Sequence, residues 1–341
     1  MPAEPLPHRF EEHLRATGLL GRAAHVIAAV SGGSDSTALA HLLSPLAARE
    51  GWALVAVHVR HLLRGPAAER DAEEAGRLAG ALGLPFRAVQ ADVPAGRGKG
   101  ESLEAAARRL RYAALLAVAA ELGSTTLVAT GHTLDDQAET VLLGLGRGSG
   151  PRSIAGMRPV DARWIRPFLG LRRSVTEAAC DALGLAPWHD PHNDDPAFQR
   201  VRLRREVLPL LDDVLQGGVA EALARTAALV RDDLDALDAV IDSLSATGHG
   251  GAGVVDHGAV LDVAAIAGQP RAIRTRLLRQ WARRNGAGPL SAEHTAALDA
   301  LVANWHGQGP LDLPGGRRAV RTSGRLEIST QISEPQEQAS E

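Results

Sequence analysis

The stretch His25-Val26-Ile27-Ala28-Ala29-Val30-Ser31-Gly32-Gly33-Ser34-Asp35-Ser36 carries the fold. HVIAAV is short, apolar and β-branched enough to read as a buried strand. Ser36 to Arg49 reads as helix, with a break or kink expected at Pro45. Between them lies a turn dense in groups that suit phosphate. Its two glycines let the backbone turn tightly and approach a ligand. The first amides of the following helix, and its dipole, attract an anion. Ser31, Ser34 and Ser36 add hydroxyls. A carboxylate beside phosphates is repulsive unless a cation sits between them, so Asp35 implies Mg2+. The GxxxxGK(S/T) loop is absent, and Lys99 is the only lysine of the chain.

Outward from this turn, strands and helices alternate. WALVAVHV (Trp52–Val59), PFRAVQA (Pro85–Ala91) and TLVAT (Thr126–Thr130) are predicted strands. Ala67–Leu82, the run from Gly100 to Gly123 with Ser102 as its cap, and Leu134–Leu145 are predicted helices. This spacing predicts an α/β domain with a doubly wound, mostly parallel sheet. A second pattern starts near Gly217. It is strongly helical, broken by glycines at Gly248–Gly253, helical again through Arg284, and ends in short strands between Gly309 and Thr330. The expected organisation is a helical lead-in over 1–23, a nucleotide-binding domain over 24–214, a mainly helical second domain over 215–330 and an acidic, disordered tail over 331–341.

Composition narrows the function classes. A chain of 341 residues with 45% hydrophobic and 23% charged residues can bury a sizeable core. Aromatics at 3% argue against rows of base-stacking rings. The one cysteine, Cys180, reads as a small buried side chain; it excludes internal disulfides, four-cysteine zinc sites and paired-thiol chemistry. Charges interrupt the N-terminus before a signal-type apolar region forms, and no apolar run reaches membrane-spanning length, so a cytoplasmic location is expected. Charge is unevenly spread. Six arginines face Asp161 alone between Gly150 and Val175, and six more lie between Arg271 and Arg284 with no acid. Two basic stripes on a mildly acidic chain predict a localised polyanion contact, with Arg274 and Arg279 among the gripping residues.

Further clusters follow in order: His58-Val59-Arg60-His61-Leu62-Leu63-Arg64-Gly65; Glu104 to Tyr112 with Arg108 and Arg111; Gly131-His132-Thr133-Leu134-Asp135-Asp136-Gln137-Ala138-Glu139-Thr140; Arg147-Gly148-Ser149-Gly150; Arg166-Pro167-Phe168-Leu169; Trp188-His189-Asp190-Pro191-His192-Asn193-Asp194-Asp195; and Arg200 to Leu210. Asp135 and Asp136 open a helix beyond a strand end, where ligand crevices of open α/β sheets lie. One of them is expected to join Asp35 on the metal; the sequence leaves open which. Gln137 and Glu139 either orient a ligand or form a solvated helix face. Arg108 and Arg111 share a helix face, where they either meet phosphate or substrate or pair with Glu104. Arg200, Arg202 and Arg205 carry guanidinium forks that suit phosphates.

SGGSDS resembles the PP-loop of N-type ATP pyrophosphatases, which cleave ATP between the α- and β-phosphates. With the other clusters in this order and spacing, residues 24–212 resemble the tRNA(Ile)-lysidine synthase family. The chain departs from the family pattern in having Arg60 for Asn, Leu62 for Gly, and Thr133 for a second histidine. The resemblance implies an adenine nucleotide alpha hydrolase-like fold and a ligase forming a C–N bond. That enzyme uses ATP and Mg2+ to join free L-lysine to C2 of the wobble cytidine in the CAU anticodon of a minor isoleucine tRNA. An adenylated cytidine is the intermediate, and pyrophosphate and AMP leave. On this reading Asp35, Asp136, His132 and Arg205 are catalytic. Ser31, Gly32, Gly33, Ser34, Asp35 and Ser36, with Arg108 and Arg111, hold ATP. Asp35 with Asp135 or Asp136 holds the metal, and Arg200, Arg202, Arg274 and Arg279 hold tRNA. Family members are often homodimers, though the sequence shows no diagnostic interface stripe. Two rivals are an amide-forming ligase acting on a small acid and a non-catalytic RNA adaptor; the acidic set Asp35, Asp135 and Asp136 argues against the adaptor.

Overall fold

The computed structural model describes residues 6–16, 24–61, 66–188, 194–246 and 258–330. The described chain divides into two compact units, Met1–Leu229 and Val230–Glu341. The division falls later than the 214/215 boundary expected from composition, inside one continuous helix over Val219–Ala246. That helix hides the division from a reading that looks for linkers.

In the first unit the order is α1 (Leu6–Ala16), β1 (His25–Ala29), α2 (Ser34–Glu50), β2 (Ala53–Arg60), α3 (Pro66–Ala81), β3 (Phe86–Gln90), α4 (Val93–Gly96), α5 (Leu103–Leu122) and β4 (Leu127–Ala129). Then come α6 (Leu134–Arg147), α7 (Pro151–Ile154), β5 (Val160–Asp161), β6 (Trp164–Ile165), α8 (Arg173–Ala182), α9 (Gln199–Arg202), a π-helical turn (Leu203–Val207), α10 (Leu208–Val214) and the start of α11 (Val219–Ala246).

The sheet order is β3-β2-β1-β4-β6-β5, parallel except for β5 against β6. Side chains alternate across it. Val26 and Ala28 of β1 enter a core with Phe10, Leu14, Leu39, Leu43, Ala75, Phe168 and Cys180. Ile27, between them, enters the opposite core with Val57, Leu115, Val118 and Trp164. α1, α2, α3 and α8 therefore cover one face and α5 the other. The lead-in helix α1 packs into this core: Phe10 and Leu14 are fully buried, and the Phe10 and Phe168 rings meet tilted with centroids 5.4 Å apart. Pro45 does not break α2, which runs unbroken from Ser34 to Glu50; Leu42, Leu43, Leu46 and Ala47 lock that turn into the core. Ser102 caps α5 as expected, accepting a bond from the Ala105 amide at 3.2 Å.

The second unit holds the rest of α11, β7 (Val260–Asp262), α12 (Val263–Ala267), α13 (Arg271–Arg284), α14 (Ala292–Ala303), β8 (Leu311–Leu313), β9 (Arg317–Thr322) and β10 (Arg325–Thr330). The short strands expected between Gly309 and Thr330 are β8, β9 and β10, and with β7 they form a four-stranded antiparallel sheet in the order β7-β10-β9-β8. The unit is mainly helical, as expected, with a small antiparallel sheet packed on its helices. The sequence reading missed β7, three residues long and joined directly to α12. Its core is Trp281, Leu278 and Leu298 against Ala319 and Leu326. The expected acidic tail over 331–341, the glycine break and the expected ends of the lead-in lie outside the described residues.

Candidate active site

The sheet order reverses between β1 and β4, since β1 is followed in space by β2 on one side and β4 on the other. Open α/β sheets form their ligand crevice at such a point, beyond the strand C-terminal ends. The Ser31–Ser36 turn follows β1 and the His132–Asp136 segment follows β4, so both meet there. They line one cavity of about 970 Å³ with Arg108, Arg111, Arg173 and Arg200.

The turn is built for close approach. Gly32 adopts φ +92°, a left-handed conformation that glycine takes without strain. Gly33 caps α2, leaving the next amides outside the intrahelical ladder. Ser36 Oγ receives the Ser31 amide at 3.1 Å and donates to the Gly33 carbonyl at 3.0 Å, which holds the loop's shape. The Trp188 amide donates to the Gly32 carbonyl at 2.8 Å, tying the segment after α8 to the loop. Gly131 is needed for contact: a Cβ there would lie 2.9 Å from the Asp35 carbonyl.

Asp35 and Asp136 converge on one guanidinium. Arg173 donates from Nε to Asp35 Oδ2 at 3.0 Å and from Nη2 to Asp136 Oδ1 at 2.9 Å. Thr176 Oγ1 donates to the other Asp35 oxygen. Burial raises the Asp35 pKa despite Arg173 and Thr176. Burial also acts to raise Asp136, but Arg173 and the Thr133 amide outweigh it and hold Asp136 well below the usual carboxylate range. Thr133 is fully buried and donates its amide and its hydroxyl to Asp136 Oδ2 at 2.8 and 2.9 Å. Burial pushes His132 down to about 3, so the imidazole is neutral at pH 7. Its Nδ1 lies 2.8 Å from Thr130 Oγ1. So weakly basic a ring suits hydrogen bonding better than proton abstraction.

Around this pair the arginines divide into two kinds. Arg200 and Arg204 clasp Glu139, whose side chain is fully buried; Arg204 Nε donates to it at 2.8 Å and Arg200 Nη1 at 3.3 Å. Arg200 also pairs with Glu104. Arg108 and Arg111 form no ion pair with any described residue. Arg108 donates to the Tyr112 hydroxyl at 3.1 Å, and burial lowers the pKa of both guanidiniums. Arginine stays protonated through such shifts, so two partly buried cations that close no ion pair, with Asp136 acting on Arg111 only at longer range, suit an anionic ligand.

Several expectations need correction. Asp135 does not line the cavity: it anchors the start of α8, accepting the Arg173 amide at 2.7 Å and pairing with Arg172. Asp136 is the one that faces Asp35. Arg205 does line the cavity, half exposed and paired with Asp194 at 2.6 Å, but it is Arg204, one residue earlier on the π-helical turn, that reaches Glu139. Arg200 sits among the cavity carboxylates and not on an open face, whereas Arg202 is exposed and pairs with Glu206 four residues on. Arg274 is buried, bonded to Asp299 at 2.6 Å and to the Gln269 carbonyl at 2.9 Å, and so braces the second unit without offering itself to a polyanion. Arg279 remains exposed, with one bond to the Leu290 carbonyl. Arg173, Thr133 and Thr176 went unnoticed as site residues; the only signal for Arg173 was the basic run that contains it. Leu62 to Gly65 and His189 to Asn193 lie outside the described residues. Arg60, in the family's Asn position, pairs with Glu69 at 2.7 Å.

The donor set fits Mg2+. Among the described residues no three His, Cys, Asp or Glu side chains converge into a protein-only cage. Mg2+ needs none, because it binds through one or two carboxylates together with waters and substrate phosphates. Asp35 and Asp136, both facing the cavity, supply such a pair.

Comparison with known families matches residues 6–211 to a PP-loop domain and residues 261–327 to a TilS substrate binding domain. A tRNA(Ile)-lysidine synthase of Rhodococcus erythropolis is 48% identical over 307 residues, covering 88% of this chain and 88% of the relative. One from Thermobifida fusca is 48% identical, over 89% of this chain and 91% of its own. One from Mycobacterium tuberculosis H37Rv is 49% identical, over 86% and 85%. Among solved structures, a U34-tRNA thiolase from Methanococcus maripaludis superimposes with a TM-score of 0.55 over 66% of this chain and 78% of its own, at 18% identity. At that identity the likeness shows the fold alone.

Proposed function

The chain belongs to the tRNA(Ile)-lysidine synthase family, and from that premise we propose how its site carries out the reaction. The protein is an ATP-using ligase that forms lysidine on tRNA(Ile). The finer reading is that free L-lysine is joined to C2 of the wobble cytidine in a CAU anticodon, with Mg2+ as cofactor. The observation that carries it is the convergence of Asp35, from the loop after β1, and Asp136, from the loop after β4, in one cavity with the phosphate-suited turn.

The exposed amides at the start of α2 receive the phosphates that leave as pyrophosphate. Arg108 and Arg111 take the charge that builds on the phosphate under attack. Bound by Asp35 and Asp136, Mg2+ would neutralise phosphate charge and ease pyrophosphate departure. The cytidine O2 attacks the α-phosphorus, giving an adenylated base. The lysine ε-amine then attacks C2, and AMP leaves. For this the cytidine must stand out of the anticodon stack. Glu139 holds Arg200 and Arg204 rigid at the cavity wall, so the second substrate enters a preset charge pattern. The exposed arginines of α13 hold tRNA backbone. Among the described residues no helix is long and apolar enough to cross a membrane, and a tRNA substrate supports a cytoplasmic location as part of this reading. Pairing of two chains is part of this reading, and sedimentation at micromolar concentration checks it.

The test is incorporation of labelled lysine into a CAU-anticodon isoleucine tRNA transcript with ATP and Mg2+, for the wild type and Asp35→Asn. Acid-stable label that needs ATP and disappears in the variant is the expected result. ATP consumption without label, once a small acid is supplied, would favour the amide-ligase rival.

A further inference from the structure

Arg173 occupies the position where a cation is needed between Asp35 and Asp136. Its Nε and Nη2 reach the two carboxylates at 3.0 and 2.9 Å. The three side chains are only 14–20% exposed, so solvent screens them weakly. Arg173 is also held from behind. Its amide donates to Asp135, and its carbonyl lies 2.7 Å from Thr176 Oγ1, whose one proton is shared between that carbonyl and Asp35. The guanidinium is thus an element of the resting site, seated on the carboxylates that the reading above gives to Mg2+.

We propose that Arg173 is a built-in counter-cation: it neutralises Asp35 and Asp136 while the site is empty, keeps a lone divalent ion off them, and yields them when nucleotide phosphates offer it another anion. Without such a charge, two facing carboxylates in a half-buried site would either repel or capture a metal alone. With it, metal and nucleotide enter together. Binding of each then favours the other, and the linkage is reciprocal. Arg173 is by this account a positioning residue for the metal, acting through Asp35 and Asp136. The inference rests on the reading that these two carboxylates hold the metal.

The experiment measures Mn2+ affinity in the absence of nucleotide, by electron paramagnetic resonance of free Mn2+, for the wild type, Arg173→Ala, Arg173→Gln and Asp136→Asn. Wild type should bind Mn2+ weakly. Arg173→Ala should bind it about tenfold more tightly or better, because a charge-assisted competitor has gone. Arg173→Gln, which keeps the side-chain length without the charge, should behave alike and decides the matter if the alanine variant does not fold. A gain of affinity is something structural damage does not produce. Unchanged or weaker binding in a folded Arg173 variant, with binding still lost in Asp136→Asn, overturns the counter-cation role and leaves the metal site standing. Binding that is insensitive to Asp136→Asn in every background overturns the metal reading itself, and this proposal with it.

Discussion

Thr133 places both its amide and its hydroxyl on a single oxygen of Asp136, Oδ2, at 2.8 and 2.9 Å, which leaves Oδ1 for Arg173 and the cavity. One contact therefore does two things. It caps α6, and it fixes which carboxylate oxygen faces the site. Thr133→Val keeps the volume and β-branching but removes the hydroxyl. We expect a stability loss of about 0.5–2 kcal/mol, the range for a lost helix cap. Lysidine formation should fall about tenfold, because the freed oxygen lets the carboxylate turn. Thr133→Ser should restore both. Denaturant midpoints and single-turnover rates read the two effects separately.

Gly131 meets the backbone of Asp35, where an added Cβ would stand 2.9 Å from both the carbonyl carbon and oxygen and 3.1 Å from the Ser36 amide. No flexible side chain can yield there, so Gly131→Ala must move the start of α2. The expected outcome is a fall in activity of about a hundredfold, the scale of a misplacement near 1 Å. ATP affinity should weaken with it. Calorimetric titration with a non-hydrolysable ATP analogue checks this; affinity equal to wild type would show that the loop absorbs the push.

What was legible in the sequence was what is local. The turn after β1, the paired acids after β4 and the cap at Ser102 are each written within a few residues. Glycine, Asp and Ser act there through their own backbone surroundings. What was not legible depends on distant approach. Arg173 lies 138 residues from Asp35, and nothing in its own helix says that it will reach back across the sheet end. Arg204 and Arg205 are neighbours in the chain, and only the π-helical turn at Leu203–Val207 decides that Arg204 faces Glu139. The basic run of α13 reads as a uniform stripe, yet Arg274 points inward to Asp299, because α14 supplies a buried acid opposite it. Pro45 predicts a break or a kink, and the helix is not broken there, because burial of its neighbours outweighs one lost hydrogen bond.

The two arginines that meet Asp299 should behave oppositely. Arg274 is 9% exposed and Asp299 7%, so Arg274→Ala strands a buried carboxylate. That costs about 3–5 kcal/mol, visible as a drop in melting temperature. Arg271 is 74% exposed on its side chain, and its contact with Asp299 is longer at 3.5 Å. Arg271→Ala should leave the melt unchanged, weaken tRNA binding a few-fold and lower the salt slope by about one. Filter binding over a salt series, beside a thermal melt, tests both.

His132 gives the stability a pH dependence whose sign is set by burial. Its folded pKa is pushed down to about 3 from an ordinary 6.5. Below pH 6.5 the unfolded chain takes up a proton that the folded ring refuses, so stability falls as pH drops from about 6.5 towards 3 and is flat above. The slope from one such group cannot exceed about 1.4 kcal/mol per pH unit. His58, lowered by burial beside the Val30 carbonyl, acts in the same direction, so replacing one ring should remove part of the slope and not all of it. Asp136 works in a different window. Its folded pKa is depressed, and it stabilises above its unfolded value of 3.8 and loses that contribution only below. Guanidinium unfolding at pH 7, 6 and 5 therefore leaves Asp136 out, and the opposite contribution of Asp35 and Glu139, both raised by burial, is common to wild type and variant. His132→Gln should lose less stability between pH 7 and 5 than the wild type. An identical loss in the two proteins would mean that the ring is protonated in the folded state, where a neighbouring carboxylate would hold it, and would return His132 to consideration as a proton carrier in the reaction.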